Sequence, residues 1–220
     1  LVNNDKKVLS GFGFWKGVEN PKLNYDLILN TLDLSFLSPI GKEALNKFEG
    51  ELNGNINIQG PLNKLGHSGL LTLNNGGFRV PYLNIGYYID KMDIQLHDQV
   101  FEFNQVNMKD YDYGTNAFLA GTFSHTNFRD WNANLSIESN RMLLLNKVQN
   151  TKSLFFGQGY LKGKVQLEGP TKNLKINLEG ETDNGTSIKI PWSDDYGLSD
   201  ISFVSFIDKN NKNRFTSNND

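Results

Sequence analysis

Along most of the chain, apolar and polar residues trade places at every step. Leu23-Asn24-Tyr25-Asp26-Leu27, Asn55-Ile56-Asn57-Ile58-Gln59, Asp93-Ile94-Gln95-Leu96, Phe101-Glu102-Phe103, Leu135-Ser136-Ile137, Lys164-Val165-Gln166-Leu167-Glu168 and Lys175-Ile176-Asn177-Leu178 all do so. A period of two puts alternate side chains on opposite faces of a strand, so each run predicts a strand with one apolar and one polar face. Asn74-Asn75-Gly76-Gly77 and Asp183-Asn184-Gly185-Thr186 fall between such runs. Asn and Gly tolerate the positive φ of tight hairpins, and both tetrapeptides are expected to be turns between antiparallel strands.

Two places depart from the alternation. From Ser38 to Phe48 a serine suited to an N-cap precedes Pro39, and Ile40, Ala44, Leu45 and Phe48 recur at helical spacing, which predicts one short helix near 39–48. Further on, Phe101 and Phe103 are odd-numbered whereas Val106 and Met108 are even. A bulge or turn near Asn104-Gln105 would reconcile the two faces.

The chain also repeats itself. Leu52, Gly54, Ile56, Ile58, Gly60, Pro61 and Leu65 are answered, at a constant offset of 109, by Leu161, Gly163, Val165, Leu167, Gly169, Pro170 and Leu174. Looser versions occur from Gly17 to Leu29 and from Gly121 to Ile137. Each unit is a strand, a stop at Gly-Pro where a backbone donor is lost, and the start of the next strand. Stacked units of this kind make an elongated sheet with one continuous apolar side. The chain therefore reads as one repetitive β domain over 1–220, with strand units near 11–37, 50–108, 117–140 and 153–207.

Composition narrows the function classes. At 220 residues and 38% hydrophobic side chains the chain can bury a sizeable core. With 22 Lys+Arg against 24 Asp+Glu the net charge is −2, so the basic excess that attracts nucleic acid is missing. Cysteine is absent, which removes disulfides, thiolate metal sites and thiol nucleophiles. The longest aliphatic run, Met142 to Leu145, is far shorter than the roughly 18 residues of a membrane-spanning helix. Leu1 at the start and the polar run Asn218-Asn219-Asp220 at the end suggest a piece of a longer protein.

Sites for chemistry are incomplete wherever they are sought. His67, His97 and His125 have no histidine or carboxylate at the short spacings of zinc sites, and surface or turn roles are expected for them. Gly66-His67-Ser68-Gly69 has Leu70 where a nucleophile elbow needs glycine, so it reads as a turn. Gly11-Phe12-Gly13 and Gly157-Gln158-Gly159 miss the spacing of phosphate loops and read as strand glycines. Asp208-Lys209-Asn210-Asn211-Lys212-Asn213 begins like a calcium loop but lacks an oxygen ligand at Lys212 and a closing glutamate. Asp110 and Asp112, between Tyr111 and Tyr113, read as a solvated hairpin tip rather than a carboxylate pair for glycoside chemistry. No catalytic residue, metal ligand or cofactor is assigned, and the chain is not read as an enzyme.

A family resemblance rests on residues in the second half of the chain. Met142-Leu143-Leu144-Leu145-Asn146, Phe155-Phe156-Gly157-Gln158-Gly159, Gly169-Pro170, Leu174 to Leu178, Thr182, Gly185-Thr186, Ile190-Pro191 and Ser199-Asp200-Ile201-Ser202-Phe203 follow one another between Ser139 and Asp208. In that order they resemble the C-terminal domain of bacterial TamB proteins of the Bacteroidetes type. Phe48 to Gly54, Asn75 to Phe78 and Ala120 to His125 look like earlier units of the same family. The run Trp192 to Tyr196 after Pro191 departs from the pattern, as does an end short of the family's extreme C-terminus.

The resemblance implies an elongated, curved, mostly antiparallel sheet forming an open trough (a β-taco), related to AsmA-like bridge proteins. It also implies a periplasmic protein with an inner-membrane anchor outside this chain and an outer-membrane barrel of the Omp85 type, TamA-like, as partner. The implied role is carriage of phospholipid acyl chains, with assembly of outer-membrane proteins as the older assignment. On strand parity the candidate groove residues are Leu27, Leu29, Ile56, Ile58, Leu71, Leu73, Ile94, Leu96, Phe101, Phe103, Leu135, Ile137, Val165, Leu167, Ile176 and Leu178. A closed core is the plain alternative for the same residues. Two rival functions are a scaffold that templates barrel strands by edge pairing and a carbohydrate-active β-solenoid enzyme.

Overall fold

A computed structural model describes residues 2–3, 6–41, 45–149 and 154–191. Strands β1 (Val2–Asn3) and β2 (Lys6–Lys7) form a minimal hairpin. The remaining strands are β3 (Leu9–Lys16), β4 (Lys22–Asp33), β5 (Asn46–Pro61), β6 (Gly66–Val80), β7 (Ile85–His97) and β8 (Val100–Asp110). They continue with β9 (Asn116–Thr126), β10 (Arg129–Lys147), β11 (Phe156–Pro170), β12 (Lys175–Thr182) and β13 (Ser187–Lys189). β3 to β13 form one 11-stranded sheet in which β3 to β12 lie in sequence order and every pairing is antiparallel. The sheet is a curved, open trough, not a closed barrel.

Directly paired residues share a face, so the register shows what the alternation built. One row runs Leu9, Leu29, Gly54, Leu71, Ile94, Phe103, Gly121, Leu135, Leu167 and Ile176, one residue from each strand from β3 to β12. Beside it runs Gly11, Leu27, Ile56, Gly69, Leu96, Phe101, Phe123, Ala133 and Gly169. Glycine recurs within both rows because the backbones come too close for a side chain. A methyl on Gly54 would run into the Leu70 carbonyl, and one on Gly121 into that of Asn134.

The repeat is reproduced at the level of the backbone. Gly54 and its counterpart Gly163 have φ of 137° and 153°, and Gly60 and Gly169 have 123° and 101°. β5 and β11 end at Pro61 and Pro170, and Ile56/Val165 and Ile58/Leu167 all face the apolar side.

Of the bulge or turn expected near Asn104-Gln105, the bulge is present: Gln105 has φ 48° and the register shifts between Phe103 and Val106. Related irregularities occur at Thr31, at Asn75 and between Ser139 and Met142, all on the same side of the long row. They form a band in which the sheet is re-aimed, since a bulge bends its strand and increases local twist.

Several local expectations are corrected. Asn74-Asn75-Gly76-Gly77 is no hairpin turn but lies inside β6, where Asn75 spends its positive φ of 49° on an irregularity against β5. The turn comes after it, at Pro81 to Asn84, where the Leu83 and Asn84 amides donate to the Val80 and Pro81 carbonyls. Asp183-Asn184-Gly185-Thr186 is likewise a bulged loop between β12 and β13, which both run along β11 in the same direction. Gly66-His67-Ser68-Gly69 is strand, not turn. Helical geometry covers Ser38–Gly41, residues 42–44 lie outside the described residues, and β5 has begun by Asn46, so the helix does not extend to 48. The incomplete calcium loop at 208–213, the strand unit beyond 191 and the C-terminal run also lie outside the described residues.

Candidate functional site

The largest feature with a direction and a chemistry is the apolar face of the sheet. All the candidate groove residues lie on it, as their pairings require. Leu29, Leu71, Leu73, Ile94, Leu96 and Val165 are buried there. Leu27, Ile56, Ile58, Phe101, Phe103, Leu135, Ile137 and Leu167 are half-buried. On the outermost strand, Ile176 and Leu178 are 63% and 56% exposed. The opposite face is mainly polar, with Phe12, Phe14, Ile28, Leu70 and Phe118 exposed on it; there the Asn57 amide donates to Asn24 at 2.9 Å and to Asp26 at 2.8 Å, across β4 and β5.

The face is concave, because its side chains reach across intervening strands. Tyr87 on β7 donates its hydroxyl to the Leu143 carbonyl on β10 at 2.7 Å, although β8 and β9 lie between them in the sheet. Burial, reinforced by the Asp110 carboxylate, raises the Tyr87 hydroxyl above its ordinary value, so it stays a neutral donor. Ile85 and Leu143 are fully buried at this end, and Met142, Tyr160 and Leu161 pack with them. None of these was picked out by simple alternation, since they follow the bulge band, where parity has changed.

Asp110 belongs to this end and is wholly buried, contrary to the solvated tip expected of it. Its carboxylate accepts from the amides of Asp112, Tyr113 and Thr115 and from the Thr115 hydroxyl, at 2.5 to 3.0 Å. Thr115 Oγ1 in turn accepts from the Leu143 amide at 2.8 Å. The carboxylate thus folds the β8–β9 turn and holds β10 over it; its lone pairs are spent on structure.

At the other end β6 and β9 converge past the short β7–β8 turn. His67 and His125, 58 residues apart in sequence, meet with Nε2 atoms 2.9 Å apart, and only 2% and 5% of their surfaces remain exposed. The expectation of surface or turn histidines is therefore wrong for this pair, whereas His97 is exposed as expected: sequence spacing cannot register a pair made by strand convergence. The Phe128 amide donates to His125 Nδ1 at 3.0 Å, which leaves the His125 proton on Nε2, aimed at His67 Nε2. His67 then carries its proton on Nδ1, a buried atom with no hydrogen-bond partner. Phe101, Phe128 and Trp131 surround the two rings, with Phe128 stacked on His125 at 4.3 Å between centroids. Burial, with the neighbouring His125 and His97 adding to it, lowers His67 to about 4, and burial lowers His125 as well. Both rings are neutral at pH 7.

Among the described residues no group of three or more His, Asp or Glu is placed to hold a metal ion. Nor does any described helix have the length and apolarity to cross a membrane. What the arrangement can do is present a long, concave apolar surface to something equally apolar.

The model of the TamB C-terminal domain family matches residues 105–219, more than half of the chain. The chain belongs to the TamB family. The matched span opens at the Gln105 bulge and, within the described residues, takes in the end of β8 and all of β9 to β13. TamB, the translocation and assembly module, is a family of non-enzymatic envelope proteins of Gram-negative bacteria. Comparison with curated proteins and with solved structures gives no match.

Proposed function

We propose that the chain is a periplasmic segment of a bridge that carries phospholipid from the inner to the outer membrane along its apolar face. The observation that carries this reading is the row from Leu9 to Ile176, which crosses the sheet from β3 to β12, is buried at Leu29, Leu71 and Ile94, and opens to solvent at Ile176 on the β12 margin. Large bare apolar surfaces are rare unless something binds them. Each acyl methylene withdrawn from water contributes about 0.8 kcal/mol. A lipid chain would be held by many such contacts with none dominant, which suits sliding. Phospholipid acyl chains, an outer-membrane barrel of the Omp85 type and an inner-membrane anchor outside these residues are the partners in this reading. Side chains that exclude water do the work, and no acid–base or nucleophilic step is assigned.

A second reading, a scaffold for assembly and secretion of outer-membrane proteins, is favoured by one feature. The β12–β13 margin has exposed Ile176, Leu178 and Ile188 and could add a strand by edge pairing. Extraction and mass spectrometry of the purified chain separate the two. Bound phospholipid that is depleted by Leu167→Asp supports the conduit. Lipid-free folded protein that captures a barrel-strand peptide along β12 supports the scaffold and contradicts the conduit.

A further inference from the structure

Where the β3–β4, β5–β6 and β7–β8 turns come together, a cleft of about 740 Å³ is cut into the rim of the sheet. It is lined from both faces. Lys16, Lys22 and Phe14 stand in rows of the polar face, whereas Leu23 and the buried His67 stand in rows of the apolar face. Lys64 enters from the β5–β6 turn.

The placement of the lysines is costly without a ligand. Lys16 and Lys22 are direct partners in the β3–β4 register, and like charges set opposite each other across a strand pair destabilise it. Ion pairs elsewhere on the sheet join lysines to carboxylates, as Lys109 to Asp90 and Lys164 to Glu138. Among the described residues Lys16, Lys22 and Lys64 have no carboxylate within ion-pair distance; Asp98, the one acidic residue lining the cleft, makes no ion pair with them. His67, which also lines the cleft, has a buried Nδ1 with no hydrogen-bond partner. Three lysines against the single Asp98 give the lining a net positive charge beside apolar Phe14 and Leu23.

We propose that this cleft takes the phosphate-bearing headgroup of an amphiphile between Lys16, Lys22 and Lys64, with the attached chain passing over Leu23 onto the apolar face. The inference rests on the conduit reading and adds to it a point of headgroup selection at the rim. Three ammonium groups against the one Asp98 carboxylate favour a headgroup with net negative charge over a zwitterion, whose own cation they repel. They act as point charges without bidentate geometry, so selection is by charge and weakens with salt.

The test titrates the 220-residue chain, by isothermal calorimetry below the critical micelle concentration, with dihexanoylphosphatidylglycerol, dihexanoylphosphatidylcholine and inorganic phosphate. The phosphatidylglycerol is expected to bind at least tenfold more tightly than either of the others. Lys16→Gln/Lys22→Gln/Lys64→Gln is expected to abolish that preference while its melting temperature holds or rises, since the repulsive pair is gone. Equal binding of the two lipids, or an undiminished preference in the triple variant, overturns the site. Inorganic phosphate binding as tightly as phosphatidylglycerol overturns the role of the chain and leaves a free-anion site. An acyl photo-label at Ile58, measured in the same preparations, reports on the conduit separately. Labelling without headgroup preference refutes the cleft alone, and preference without labelling refutes the conduit alone.

Discussion

Acidification is the perturbation that the buried histidine pair makes most informative. Well above pH 6.5 both rings are neutral whether the chain is folded or unfolded, and the pair has no pH dependence. Below 6.5 the unfolded chain takes up a proton at His67 that the folded chain refuses until about pH 4. Stability therefore falls as the pH drops through this window. One pKa unit corresponds to about 1.4 kcal/mol, so His67 accounts for at most about 2 kcal/mol of loss at pH 5 and about 3 kcal/mol at pH 4. His125, lowered by the same burial, adds in the same direction. The structure also says where the damage begins. A proton on His67 Nε2 would confront the His125 Nε2–H, and a proton on His125 Nδ1 would displace the Phe128 amide. Either event loosens the junction of β6 and β9. Urea unfolding at pH 7.5, 6.0 and 5.0, on the wild type and on His67→Leu/His125→Leu, isolates the effect from carboxylates titrating below. The wild type should lose stability between 7.5 and 5.0 and the double variant much less. Parallel losses in both proteins would refute the assignment of the acid sensitivity to this pair.

Other expectations follow from the rows. Gly54→Ala and Gly163→Ala should each cost about 1 to 3 kcal/mol or more, because φ near 140° is strained for any side chain and a backbone carbonyl occupies the methyl position. Gly114→Ala, at φ 67° with open space around it, should cost only about 1 to 2 kcal/mol, and urea midpoints would rank the three. Leu71→Asp, at a position only 4% exposed, should prevent stable folding, whereas Ile176→Asp, at 63%, should stay within about 0.5 kcal/mol of the wild type by circular-dichroism melting.

The sequence carried the sheet well because its evidence for strands is local. Alternation around Ile56 and Val165 placed both on one face, and the parity slip after Phe103 located a bulge whose partners lie on other strands. Turns were harder to read. Asn75 and Gly185 have the positive φ of hairpin residues, but a bulge asks for the same conformation, and only pairing with β5 or β11 tells the two apart. The histidine pair and the lysine cleft were invisible for a related reason. His67 and His125 meet because β6 and β9 both run on past the β7–β8 turn, where the Asp98 and Gln99 carbonyls accept their amides, and the cleft exists because three turns share one rim. Strand length and curvature are properties of the assembled sheet. Asp110 shows the opposite error: its acidic, tyrosine-flanked context suggested exposure, while three amides and a hydroxyl waited inside the turn to satisfy it.

In the conduit reading the apolar face, and not the mainly polar one, meets lipid. Photo-crosslinking amino acids placed singly at Ile58 and Leu167, and at Asn57 and Gln166, sample the two faces at adjacent positions of β5 and β11. In the full-length protein within cells, Ile58 and Leu167 should yield phospholipid adducts, and Asn57 and Gln166 should not. Equal labelling from both faces, or no labelling from either in folded protein, would contradict the conduit.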